Sequence, residues 1–207
     1  MNKRKDNGIK SIDKDYDLIK AFMENDKNAF NRLVLKYMDV VFNLCYRLIG
    51  DYDEANDISQ ETFIKVYNNL HKFKFQSSFS TWLYRITVNT CKNNLSSLRF
   101  RMSNKMIRLD ASRSDLKTPD KSSEYIVDLP DNTSNPACIY ERKEKEESIQ
   151  NAIDSLSGNQ KILIVLRDIE GKSYEEIAEI TGLKIGTVKS KLARARQELR
   201  DKLRGII

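Results

Sequence analysis

Residues 173–197, SYEEIAEITGLKIGTVKSKLARARQ, constrain the fold more tightly than any other stretch, because they specify two short helices and the turn that joins them. Ser173 is an N-cap residue with Glu176 three positions on, a capping-box pair that satisfies backbone N–H groups at a helix start. Tyr174, Ile177, Ala178 and Ile180 give this helix one apolar side. Gly182 follows, the residue best able to take a positive φ, so the chain can turn sharply after so short a helix. Ile185, Val188, Leu192, Ala195 and Leu199 then recur at helical spacing, which predicts a second helix that buries all five. Its other side carries Thr187, Ser190, Lys191 and Arg194, with Lys189 and Arg196 on the flanks. Short hydroxyls beside long cations suit the wall of a DNA groove, where hydroxyls reach phosphate or base edges and Arg grips guanine bidentately. The pattern also suits a helical hairpin with a solvated basic side. The turn and capping chemistry favour a helix-turn-helix.

With 207 residues the chain has room for one large domain or two small ones, and 7 Gly with 3 Pro argue against a turn-rich β protein. A net charge of +6 favours a polyanionic partner but is modest for a protein that must hold DNA unaided. No apolar run approaches the length of a membrane span, and the start, MNKRKDNGIK, has no apolar signal core. A cytoplasmic protein without direct membrane insertion is expected. Cys45, Cys91 and Cys138 lie far apart and form no CxxC pair; the first two sit on apolar helix faces and are expected to be reduced and structural. His71 is the only histidine and has no ligand-like neighbours, so neither a zinc site nor a His-based triad is expected. No GxxxxGK[ST] or GxGxxG motif is present. No metal, cofactor, small-molecule substrate or catalytic role is expected.

Pro119, Pro130 and Pro136 all fall between residues 99 and 142, a stretch without Gly, rich in Ser, Asp, Asn and Lys, basic at its start and acidic later. Helical periodicity fails there, which predicts a mostly irregular linker. The short apolar island Tyr125, Ile126, Val127 and Leu129 lies within it. The expected organisation is therefore all-α: a basic tail over 1–14, a helical domain over 15–98, a flexible linker over 99–142 and the helix-turn-helix domain over 143–207. In the first domain one helix carries Leu18, Ile19, Phe22 and Met23. Asp26 caps the next, which buries Phe30, Leu33, Val34, Tyr37, Val41, Leu44, Cys45 and Leu48 and ends at Gly50. A third starts near Asp53 and buries Ala55, Ile58, Thr62, Val66 and Leu70; a fourth starts at Ser80 or Thr81 and carries Trp82, Leu83, Ile86, Val88 and Leu95.

Two features of this domain lie off the core. The third helix has an outward stripe, Asp57, Gln60, Glu61 and Ile64. Periodicity by itself favours an ordinary solvated face; the alternative is a docking surface for a basic partner helix. The loop before the fourth helix and the helix itself mix aromatics with cations and amides, in Lys72, Phe73, Lys74, Phe75, Phe79, Trp82, Tyr84, Arg85, Asn89, Lys92 and Asn93. Aromatic stacking with phosphate contacts is how single-stranded nucleic acid is held. Core packing claims Phe79 and at least one of Phe73 and Phe75, and is the preferred role of Trp82.

The run DEANDISQETFIKVYNNLHKF…FSTWLYRITVNTCKNNL resembles region two of bacterial sigma factors of the extracytoplasmic-function (ECF) type, and LRDIEGKSYEEIAEITGLKIGTVKSKLARARQEL resembles their region four. The resemblance covers nearly the whole chain except the tail and the linker. It implies that Asp57, Gln60 and Glu61, with Ile64 beside them, dock on core RNA polymerase. It implies that Phe73, Lys74, Ser77, Arg85 and Asn89 meet the minus-ten promoter element and a flipped base, with Lys92 and Asn93 near the backbone. It places Thr187, Lys189, Ser190 and Arg194 on the minus-thirty-five element, with Arg167 as a further DNA contact and Lys184 and Lys191 beside them. The linker is implied to thread toward the RNA exit path. An anti-sigma factor, commonly membrane-anchored, is implied as an inhibitory partner.

The chain also departs from the family's pattern. Phe75 follows Lys74 where Gly is usual, Lys184 replaces a common Pro, and Lys189 and Lys191 stand where Arg is frequent. Lys lacks the bidentate fork, which suits phosphate rather than guanine. The competing expectation is a helix-turn-helix regulator that binds operators without polymerase. It needs a dimerisation or sensory element, and the N-terminal block has neither heptads nor an α/β pattern.

Overall fold

The computed structural model describes residues 14–109 and 148–204, with side chains over 14–96 and 148–204; all regular structure among them is helical. The expected basic tail up to residue 13, the prolines, the Tyr125 island and Cys138 lie outside the described residues.

Helix α1 spans Tyr16–Met23. Asp26 caps α2, Lys27–Ile49, by accepting the Asn28 N–H at 2.9 Å, and Gly50 stops it at φ +88°. Only a residue indifferent to the left-handed region terminates a helix so abruptly at little cost. Helix α3 spans Tyr52–Asn69, and its cap is Asp51, which accepts the Glu54 N–H at 2.9 Å, so it starts ahead of the expected Asp53. A 3-10 turn, Leu70–Lys72, leads into the loop before α4, Phe79–Leu109. That helix starts earlier than Ser80 or Thr81, because Ser78 takes the capping role and accepts the Thr81 N–H at 3.2 Å. It also continues past residue 98, where a linker was expected. Residues 99–109 contain neither Gly nor Pro, so nothing in the chain stops the helix there.

Helices α2, α3 and α4 enclose the N-terminal core, with Leu33, Leu44, Leu48, Ile58, Leu83 and Val88 all buried. Buried hydroxyls are satisfied within their own helices: Thr62 donates to the Ile58 carbonyl at 2.8 Å and Thr87 to that of Leu83 at 2.9 Å. Cys45 and Cys91 are buried free thiols, with the Cys91 S–H directed at Cys45 Sγ 3.8 Å away. That hydrogen bond and burial push the Cys45 thiol far up, which keeps it protonated and inert.

The C-terminal unit begins with helical residues 148–154, then α5 (Gly158–Ile164), a π-helical turn (Val165–Ile169), α6 (Tyr174–Thr181) and α7 (Ile185–Leu203). Helix α5 lies on α7, and α6 lies on both α7 and α4. Lys161 is buried and pairs with Asp154 at 2.6 Å, as a buried cation must.

The two units touch, and their buried apolar residues form one continuous cluster. At this contact the Tyr84 hydroxyl of α4 donates to Glu170 Oε2 at 2.7 Å, while Lys172 Nζ lies 4.0 Å from the Tyr84 ring centroid. Burial, then the Glu170 carboxylate, raises the Tyr84 phenol well above its ordinary range. Below about pH 10, the ordinary phenol value, folded and unfolded chains both keep this proton and the contact is at full strength. Above it the unfolded chain releases its proton first, so stability falls as pH rises. Tyr84→Phe is expected to cost about 1–2 kcal/mol at neutral pH. Urea unfolding from pH 8 to pH 11 should show a steeper loss for the native chain than for Tyr84→Phe.

Candidate nucleic-acid interface

Three surfaces carry the residues singled out by the sequence. The first lies on α4 and the loop ahead of it. Arg85, Asn89 and Asn93 recur every fourth residue and are exposed on one side of α4, with Lys92 half-buried beside them. Lys74 is exposed and Ser77 half-buried. Phe73 departs from its expected role. It is 6% exposed, its ring lies 4.9 Å from Phe75 and 5.2 Å from Trp82, and it holds the loop from inside rather than offering a stacking face. Trp82 packs against the core through Phe73 and Phe79, as expected, but is only half-buried and keeps part of its ring at the surface.

Trp82 lines an open cavity of about 530 Å³ with Ile86, Asn89, Thr90 and Asn93 of α4, Lys65 and Asn69 from the last turns of α3, and Lys72 from the 3-10 turn. This is the size of an ordinary small-ligand cleft, roughly 300–1,000 Å³. Lys65 and Asn69 escaped the sequence reading, although they and Lys72 follow an i, i+4, i+7 pattern that puts them on one side of the same stretch. Lys65 Nζ is held by Glu61 at 2.7 Å and Thr90 Oγ1 at 3.3 Å. The loop itself turns at Phe75, whose φ of +55° is the left-handed conformation that the usual Gly adopts freely.

The second surface is the helix-turn-helix. Its capping box is formed: Ser173 Oγ accepts the Glu176 N–H at 3.1 Å and Glu176 Oε2 accepts the Ser173 N–H at 2.8 Å. Gly182 turns at φ +71°, with its N–H on the Ala178 carbonyl at 2.8 Å. Val188, Leu192 and Ala195 are buried as expected and Leu199 half-buried. Ile185, expected to be buried with them, is 40% exposed. It opens α7 between Lys184 and Gly186, both exposed, at the end of the hairpin where no second helix covers it.

Lys184, Lys189, Ser190 and Arg194 are exposed, while Thr187 and Lys191 are half-buried. Ser190 donates to the Thr187 carbonyl at 3.1 Å, and Lys189 Nζ lies 5.4 Å from the Tyr174 ring centroid. Arg167, on the π-helical turn, donates to the Lys172 carbonyl at 2.7 Å and stacks over Tyr174 at 4.8 Å. It is therefore half-buried and structurally engaged rather than free for DNA. Arg196 is held by Asp168.

The third surface is the α3 stripe. Asp57, Gln60, Glu61 and Ile64 are all exposed, Ile64 by 62%, opposite the buried Ala55, Ile58, Thr62 and Val66. Leu35 and Met38 on the neighbouring α2 are exposed as well, by 71% and 46%, apolar surface that the sequence reading missed. No group of three or more His, Cys, Asp or Glu among the described residues could hold a metal ion, and no described helix is long and apolar enough to cross a membrane.

An all-helical chain with a helix-turn-helix and a second cation- and amide-lined helical surface defines the class of a multi-surface nucleic-acid-binding protein. Its particular family follows from comparison with known proteins. The family description "Sigma-70 region 2" matches residues 33–101, and "Sigma-70, region 4" matches residues 146–199. The ECF RNA polymerase sigma-E factor of Haemophilus influenzae is 37% identical over 194 residues, 93% of this chain and 97% of its own length. SigW of Bacillus subtilis, an ECF RNA polymerase sigma factor, is 35% identical over 91% of this chain and 96% of its own length. The chain belongs to the sigma-70 family, among the ECF RNA polymerase sigma factors. Two solved structures share the fold. One is the sigma factor RpoE of Bartonella quintana in complex with the anti-sigma factor NepR, with TM-score 0.57 and 24% identity over 85% of this chain and 97% of that one. The other is CnrH in complex with the cytosolic domain of CnrY, with TM-score 0.59 and 22% identity over 91% and 96%.

The two glycines of the helix-turn-helix should respond oppositely to a methyl group. Neither would meet an atom within 4 Å, so backbone conformation decides. Gly182→Ala forces a side chain into the left-handed region and is expected to cost roughly 1–2 kcal/mol. Gly186→Ala lies inside α7 and should stabilise by about 0.5–1 kcal/mol. Urea unfolding followed by far-ultraviolet circular dichroism measures both.

Proposed function

We propose that this chain binds core RNA polymerase, directs it to promoters, helps open the duplex and so starts transcription. The observation that carries this reading is the pairing, on one ECF-type chain, of a duplex-reading helix-turn-helix with an aromatic, amide-lined surface suited to unpaired bases. In this reading Asp57, Gln60, Glu61 and Ile64 dock on polymerase. Lys74, Ser77, Arg85, Asn89, Lys92 and Asn93 meet the minus-ten element, with Phe73 shaping the loop from beneath. Lys184, Thr187, Lys189, Ser190, Lys191 and Arg194 meet the minus-thirty-five element, and Arg167 reaches DNA only if it leaves Tyr174. The four units are a tail over 1–14, region two from residue 15 with α4 running on to Leu109, a linker from there to 142 and region four over 143–207. The protein acts in the cytoplasm as a specificity subunit rather than an enzyme. We take its inhibitory partner to be an anti-sigma factor held at the membrane; that the partner is an anti-sigma factor is supported by RpoE, which shares the fold and is captured with the anti-sigma factor NepR.

The two promoter elements lie about 25 base pairs apart, roughly 85 Å along the duplex at 3.4 Å per pair. Helix α6, however, rests on α4. Engaging both elements at once therefore requires the Tyr84–Glu170 contact to open, and polymerase is the body that would hold the units apart.

Transcription in vitro with core polymerase tests the reading. Promoter-selective output is expected only when the chain is added, and no output from any promoter would overturn it. Asp57→Lys combined with Glu61→Lys should abolish capture of core enzyme in a pull-down while lowering stability by less than about 1 kcal/mol, since both carboxylates are exposed and only the surface pair of Glu61 with Lys65 is lost. Arg194→Ala should reduce output from a promoter with an intact upstream element, with one lost bidentate contact worth about 1–3 kcal/mol. It should leave output from a scrambled element unchanged. Lys202→Ala should do much less, because Lys202 is occupied by Ser155 Oγ at 2.6 Å. Equal loss from intact and scrambled elements would reassign Arg194 to stability or phosphate contact.

A further inference from the structure

Phe75 stands in an unfavourable conformation for a reason that its immediate chain neighbours do not supply. Two non-glycine residues among those described have positive φ, Asn25 at +74° and Phe75 at +55°. Asn accommodates the left-handed region through its short polar side chain, whereas a bulky aromatic there is an outlier that persists only when its surroundings over-determine it. Here the surroundings are aromatic. The half-buried Phe75 ring lies 5.0 Å from Tyr16, the first residue of α1, and 4.9 Å from Phe73 inside the loop.

Tyr16 is itself 4% exposed and firmly seated. The residue before it, Asp15, is buried and accepts hydrogen bonds from Lys36 Nζ and the Tyr37 hydroxyl of α2. The Tyr37 ring in turn meets Phe79, the first residue of α4, edge-on at 5.4 Å. The loop is thus clamped at its tip by α1, through the Phe75 ring, and at its end by α2, through Phe79.

We propose that Phe75 and Tyr16 are positioning residues for capture of the unpaired strand. The Phe75 ring, stapled to Tyr16, holds the left-handed turn that presents Lys74 and Ser77 to an unstacked base. The inference rests on the reading that the loop of residues 73–78 meets the melted minus-ten strand. A glycine at position 75 reaches the same backbone without strain but leaves the loop free to sample others. Apparent affinity then falls with the fraction of loops in the competent state.

The test uses the full chain assembled with core polymerase and four fluorescent single-stranded oligonucleotides that differ only in the base at the flipped position. Native holoenzyme is expected to prefer one base. Phe75→Gly should weaken binding of the preferred oligonucleotide about tenfold and bring the four bases within about threefold of each other, while capture of core enzyme is unchanged. Tyr16→Leu, which keeps Phe75 but removes its ring partner, should do the same. Tyr16→Phe should keep the native ranking, and the Phe75→Gly, Tyr16→Leu double variant should be no worse than Phe75→Gly alone, because the contact that Tyr16→Leu breaks is already gone. Phe75→Asn keeps a residue tolerant of the turn without the ring, and should also lose the ranking. Unchanged base ranking in Phe75→Gly and Tyr16→Leu, at whatever affinity, would show that the rings only fill space and would overturn the proposal. A native holoenzyme that selects no base would instead overturn the melted-strand reading, and this inference with it.

Discussion

The periodicity of α4 is the constraint on which the other features depend. A helix turns about 100° per residue, so neighbouring positions must serve different surroundings. Phe79, Leu83, Val88 and Cys91 face the N-terminal core, Tyr84 meets the C-terminal unit, and Arg85, Asn89 and Asn93 are left to solvent. One helix thus holds its own domain together, carries the candidate single-strand surface and makes the contact that closes the two units. A change on any of these faces is felt first there, but a shift of the whole helix is felt on all three. The early start of α4 follows from the same economy: with Ser78 as cap, Phe79 enters the core at the first helical position, where it meets Tyr37 and Trp82.

Much of the fold was legible because it rests on local chemistry. Asp26, Gly50, Ser173 with Glu176, and Gly182 mark helix ends through hydrogen bonds and φ values that depend on a few adjacent residues. The apolar stripes of α2 and α3 follow from spacing alone. What escaped depends on the environment that tertiary structure supplies. Ile185 has the spacing of a core residue but lies at the uncovered start of α7. Core packing was expected of Phe73 or Phe75, but not which; three other rings meet Phe73, which leaves the promoter contact implied for it without an open face. A phenylalanine by itself does not signal the left-handed turn at Phe75, although Gly is usual there in the family; its ring meets Phe73 nearby and Tyr16, far away in sequence. The run of α4 beyond residue 98 was missed because polar composition was read as a linker, although nothing there breaks a helix.

The charge distribution explains why a basic helix-turn-helix need not bind DNA tightly by itself. Several cations are committed within the fold: Lys161 to Asp154, Arg196 to Asp168, Lys202 to Glu198 and Ser155, and Arg167 to the Lys172 carbonyl and Tyr174. What remains on the outer side of α7 is a small set of exposed groups, chiefly Lys184, Lys189 and Arg194. Each phosphate contact contributes modestly and is weakened by salt. Two weak surfaces gain strength only when a rigid third body holds both over their elements, because the second contact then becomes intramolecular. In the closed arrangement, with Tyr84 on Glu170, that condition is not met.

In the function proposed above, promoter recognition belongs to the assembly with polymerase and not to the free chain. Binding to matched and scrambled promoter fragments at physiological salt, measured by gel shift with and without core enzyme, tests it directly. The free chain is expected to bind weakly and without selectivity, and to bind strongly and selectively once core enzyme is present. Nanomolar, sequence-specific binding by the free chain, unimproved by core enzyme, would contradict it and point to an operator-binding regulator.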